Sequence, residues 1–64
     1  MKLKDLLPYI DSSAHIRIVD RSYDVVYDGS MLLAYYDIDV KYYNNVIRAI
    51  FSGLYTDAIV IELK

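Results

Sequence analysis

The 64-residue sequence predicts an α+β fold, with a short amino-terminal helix packed on an antiparallel sheet of four or five strands. Three observations predict it. The opening segment spaces its leucines for one face of a helix, while several later segments alternate apolar and polar residues with the period of two that a half-buried strand requires. Turn residues separate the strand-like runs.

In "MKLKDLLPYID", Leu3, Leu6, Leu7 and Ile10 fall at i, i+3, i+4 and i+7, with Lys2, Lys4 and Asp5 on the other side. Pro8 lacks a backbone N–H and disfavours helical geometry at Leu7, so the helix is expected to end or kink there. Asp11, Ser12 and Ser13 read as a loop. "AHIRIVD" alternates Ala14, Ile16 and Ile18 against His15, Arg17 and Val19; "DRSYD" supplies a turn, and "DVVYDG" a second strand ending at Gly29. Tyr27 is expected at the core edge with its hydroxyl in water. "VIRAIF" is β-rich, "SGLYTD" reads as a hairpin loop, and "TDAIVIELK" closes the chain with Ile59, Ile61 and Leu63 inward and Val60 and Glu62 outward.

The middle admits two readings. "SMLLAYY" fits either a helical turn capped by Ser30 or an extended segment. "YDIDVKYY" alternates Tyr36, Ile38, Val40 and Tyr42 against Asp37, Asp39, Lys41 and Tyr43, the pattern of a strand, and Asn44-Asn45 suits a tight turn.

One domain, residues 1–64, accounts for the whole pattern. A domain of this size buries only about 60% of its unfolded surface. With 56% of residues apolar or tyrosine and no cysteine to cross-link the core, a shared interface is expected, most simply a homo-oligomer and specifically a dimer. Nine acids against seven bases give a net charge of −2 and no basic run, which argues against a nucleic-acid partner. The chain shows no apolar run near the roughly 18 residues of a membrane span and no signal-peptide pattern, so a cytoplasmic protein is expected.

The start "KLKDLLPYID", the hairpin "IRIVD…VVYDG" and the closing "DAIVIEL" together resemble small uncharacterised proteins of phages and prophages of Gram-positive bacteria. That group combines a lysine-flanked KDLLxYID start, a V-x-V-x-D strand, a hydrophobic–Tyr–x–Gly hairpin end and a D-x-L-V-I-E-L-like terminal strand. The likeness covers both ends of the chain; the segment from Ser30 to Asn45 is longer and richer in tyrosine. It implies a setting, not a set of functional residues: a phage-type protein in the host cytoplasm that binds and inhibits a host component, such as a defence system.

Chemistry is sparse. "DIDVKYYNN" starts like a calcium loop, but Lys41 takes the third ligand position and Tyr42 the place of the required glycine, so no metal site is expected. His15 is the single histidine, and no phosphate loop or nucleophile elbow accompanies it, so neither an enzyme nor a cofactor is expected. His15 and Arg17 share a strand face; with Lys41 and Arg48 they could form an anion site where a nucleotide is sequestered at an oligomer interface. The strongest signal is eight tyrosines to one phenylalanine and no tryptophan. Tyrosine is apolar in body and polar at its tip, which suits interfaces. The favoured expectation is therefore a non-catalytic protein that blocks a host protein through Tyr35, Tyr36, Asp37, Asp39, Tyr42 and Tyr43, with Tyr43 as an anchor; nucleotide sequestration is the alternative.

Overall fold

A computed structural model describes residues 1–52 and 57–64. Helix α1 spans Leu3–Leu6 and passes at Pro8 into a 3-10 turn, Leu7–Tyr9. Proline has no N–H for the ladder and its ring crowds the preceding turn, so the α-helix stops where the sequence predicts. Leu3 and Leu7, four apart and on one side, are fully buried.

Strands β1 (His15–Val19) and β2 (Val25–Ser30) pair antiparallel. Asp20 organises the turn between them: its carboxylate accepts from the Ser22 and Asp24 N–H groups at 2.8 and 3.1 Å. Tyr23 in this turn has φ 65°, the left-handed region that non-glycine residues seldom occupy. Strands β3 (Ile47–Ser52) and β4 (Ile59–Leu63) form a second antiparallel pair. Of the expected loop "SGLYTD", residues 53–56 lie outside the described residues.

The two pairs join through their central strands, giving the order β2-β1-β4-β3. The α+β class and the four strands agree with the sequence, but the sheet is mixed: β1 and β4 run parallel, with Ile16 opposite Ile59 and Ile18 opposite Ile61. Alternation specifies a strand's faces and is silent on its neighbour's direction. Inward residues of both central strands are nevertheless those expected, with Ile16, Ile18, Ile61 and Leu63 fully buried.

A larger departure lies between the pairs. Met31–Asp37 form a second helix, α2, as the helical reading of "SMLLAYY" expects, but it runs on through Asp37, and Val40–Tyr42 form a 3-10 turn, where the alternation of Tyr36 to Tyr43 predicts a strand. Met31, Ala34 and Ile38 recur at i, i+3 and i+7, so the segment satisfies both periodicities. The helix is favoured by its start: the Met31 and Leu32 N–H groups, orphaned at a helix N-terminus, donate to the carbonyls of Ala14 and Ser12 at 2.8 and 3.1 Å.

One core results. The sheet contributes Ile16, Ile18, Tyr27, Ile61 and Leu63; the helical layer contributes Leu3, Leu7, Met31, Ala34 and Ile38. Tyr27 is 8% exposed, and its hydroxyl donates to the Ser30 carbonyl at 2.6 Å instead of to water. Its ring crosses Gly29, where a Cβ would come within 2.7 Å of the hydroxyl oxygen. This is a close approach that only glycine permits. Among the described residues, no helix lies on the opposite face of the sheet.

Candidate functional site

Helix α2 is apolar on both sides. Met31, Ala34 and Ile38 face the core. With 100° between successive residues, Leu32, Leu33 and Tyr36 fall on the outward side, and Tyr35 on its flank. Leu32 is 64%, Tyr36 85%, and Leu33 and Tyr35 about half exposed. An amphipathic surface helix carries polar residues outward; a helix apolar all round is one that something else covers. Beside it, an open cleft of about 170 Å3 runs between Leu7, Pro8 and Ile10 on one wall and Met31, Leu32 and Tyr35 on the other. Tyr9 and Val40, also strongly exposed, extend the apolar surface of the helical layer.

The six tyrosines and aspartates expected to bind protein divide into two sets here. Tyr35, Tyr36 and Asp37 are exposed on α2. Tyr42 and Tyr43 are half-buried and pack against the core. The Tyr43 hydroxyl donates to the Tyr35 carbonyl at 3.2 Å, and the Lys41 ammonium stands 5.1 Å from the centre of the Tyr42 ring. Asp39 accepts from the Lys41 N–H at 3.0 Å, capping the 3-10 turn. These three contacts hold the segment after α2 in place, with Tyr43 bracing it against α2. Sequence reasoning missed Leu32 and Leu33. The signal lies in the helical one of the two readings of "SMLLAYY", which puts both away from Met31 and Ala34.

The alternative set divides too. His15, Arg17 and Arg48 lie on the helix-free face, whereas Lys41 belongs to the helical layer through Tyr42. On that face Asp28 accepts from Arg17 Nε and Nη2 at 3.2 and 3.0 Å and contacts His15 Nε2 at 2.5 Å. The hydrogen bond from His15, then that from Arg17, holds the Asp28 carboxyl below the usual aspartate value. Arg48 donates to Glu62 at 2.7 and 3.2 Å, and its guanidinium lies 5.0 Å from the Tyr23 ring centre. The left-handed backbone at Tyr23 thus carries its ring from the β1–β2 turn to β3. Both arginines of this group already have a carboxylate. Among the described residues, no three His, Asp or Glu side chains gather as a metal site requires.

No helix among the described residues is long and apolar enough to cross a membrane. Comparison with known proteins finds no matching family model, curated protein or solved structure.

Proposed function

We propose that the protein is a non-catalytic binding module that recognises another protein through the outward side of α2 and the adjoining cleft. The observation that carries this reading is the second apolar side of α2. Leu32, Leu33 and Tyr36 do not contribute to the protein's own core, so their burial against a partner is a gain that folding has left unused. Leu7, Pro8, Ile10 and Tyr35 frame a depression of the size that takes one bulky side chain, the usual arrangement around an interface anchor. Asp37, exposed at the end of α2, favours a basic rim on the partner. The resemblance to phage and prophage proteins supplies the setting: the partner is a host protein, and covering its surface inhibits it, as an antagonist of a defence system would.

Nucleotide sequestration has less support. Arg17 and Arg48 would each have to leave a carboxylate to meet phosphate, and Asp28 and Glu62 would then face the anion.

The test is affinity capture from a Gram-positive host lysate, comparing the wild type with a Leu33→Lys, Tyr36→Lys variant, followed by native mass spectrometry of the eluate. The proposal expects a stoichiometric host protein that is lost in the variant. A nucleotide retained by both forms, with no protein, would replace this reading with the alternative.

A further inference from the structure

The cleft beside α2 has apolar walls, but its two ends differ in charge. At the end where α2 starts, Asp11 sits between Ile10 and Ser12, both of which line the cleft. Among the described residues, no other charged side chain is next in the chain to one lining the cleft. The Asp11 loop is fixed against the helix: the Leu32 N–H donates to the Ser12 carbonyl and the Met31 N–H to the Ala14 carbonyl. One carboxylate oxygen, Oδ1, accepts from the Ser13 N–H and from the Ser13 hydroxyl, each at 2.8 Å. No hydrogen bond or ion pair among the described residues uses the other, Oδ2. The bonds from Ser13, the backbone one first, hold this exposed carboxyl below the usual aspartate value, so it is charged at neutral pH. Lys4 stands toward the other end: its N–H donates to the Tyr43 carbonyl, and the Tyr43 hydroxyl donates to the carbonyl of Tyr35 on the cleft wall. Asp37, about 200° round α2 from Tyr35, is on the flank away from the cleft.

We infer, resting on the recognition role proposed for α2, that the cleft receives a bulky apolar side chain of the partner and that Asp11 pairs with a basic residue beside it. The occupant is a short partner segment that joins an apolar anchor to a lysine or arginine. Apart from the hydroxyls of Ser12 and Tyr35, the lining side chains are apolar, so a charged anchor would lose its water without a counter-ion in return. Asp11 then selects the anchor's neighbour. A cation at the rim meets a carboxylate oxygen that the protein's own fold leaves unused, whereas a partner carboxylate there would face a like charge. Lys4 has the opposite preference, which puts the partner's base on the Asp11 side of the anchor and gives the segment one direction along the cleft.

The experiment is an NMR titration of the isotope-labelled full chain with two synthetic peptides. One carries a phenylalanine flanked by lysines, and the other has glutamates in place of the lysines. The lysine peptide should shift the amides of Leu7, Ile10, Asp11, Leu32 and Tyr35 and bind more tightly than the glutamate peptide. Asp11→Asn keeps an oxygen to accept the Ser13 bonds and should weaken the lysine peptide about two- to fivefold, the size of an exposed ion pair. Lys4→Gln should not weaken it. If Asp11→Asn fails to fold, salt decides with the wild type: at about 1 M, where screening acts within about 3 Å, the preference between the peptides should vanish. Equal binding of both peptides in the cleft, or a preference that survives Asp11→Asn or salt, would overturn the inference and leave α2 a recognition surface. Shifts with neither peptide would also overturn it alone, because Leu33 and Tyr36 lie outside the cleft. Shifts confined to the sheet face around Arg17 and Arg48 would overturn both.

Discussion

The outward side of α2 and the helix-free face of the sheet are both exposed, yet they are composed in opposite ways. On the sheet face, Asp28 is shared by His15 and Arg17, and Glu62 holds Arg48, which stacks on Tyr23. Those charges are satisfied within the molecule. On α2, Leu32, Leu33 and Tyr36 present apolar surface to solvent. A surface with internally matched charges must break bonds before it can bind, whereas an apolar one has only water to lose. The contrast supports the proposal that α2, and not the sheet face, meets a partner, and it weighs against nucleotide binding between the two arginines.

The largest effect calibrates the contrast from below. Ile61, fully buried under the helical layer, should cost about 2–5 kcal/mol on Ile61→Ala, measured by denaturant unfolding. Val60, on the opposite face of the same strand and half-buried, should cost clearly less as Val60→Ala. Equal losses would mean that the helix-free face is a second core and not a surface.

Next comes Tyr36→Ala. At 85% exposure it should leave stability within about 0.5 kcal/mol, yet weaken partner binding by about 2 kcal/mol, roughly thirtyfold. Arg48→Ala, which removes a solvent-screened ion pair, should change stability far less than Ile61→Ala and leave partner binding unchanged. A reversal of these two results, read by calorimetry, would move recognition to the sheet face.

The smallest effect is a pH dependence. Asp28's folded value is depressed, so its contribution is present above its ordinary value of 3.8 and fades as pH falls through the lower folded value. The gap in thermal midpoint between the wild type and Asp28→Asn should therefore narrow as pH falls below that ordinary value. A gap that widened in acid would contradict the matching of charges on this face.

Much of this architecture was legible from residues. Alternation in "HIRIV" and "IVIEL" gives the inward isoleucines, and Pro8 marks the end of α1, because those signals are local. The parallel β1–β4 contact and the α2 start are not local: one depends on how two hairpins meet, the other on the Ala14 and Ser12 carbonyls, 17 and 20 residues upstream of their partners. Without them, Tyr36 to Tyr43 fits a strand as well as a helix. The candidate site was half legible for the same reason. Tyr35, Tyr36 and Asp37 follow from composition, whereas Leu32 and Leu33 show as surface only once the segment is helical, and the bracing role of Tyr43 only once its hydroxyl finds Tyr35.

The most direct test is hydrogen–deuterium exchange of the protein with and without the captured host partner. Protection should appear over residues 31–37 and in the cleft wall at residues 7–12, with β1 and β3 unchanged. Protection centred on β1 and β3 around Arg17 and Arg48, with α2 exchanging as before, would contradict the account.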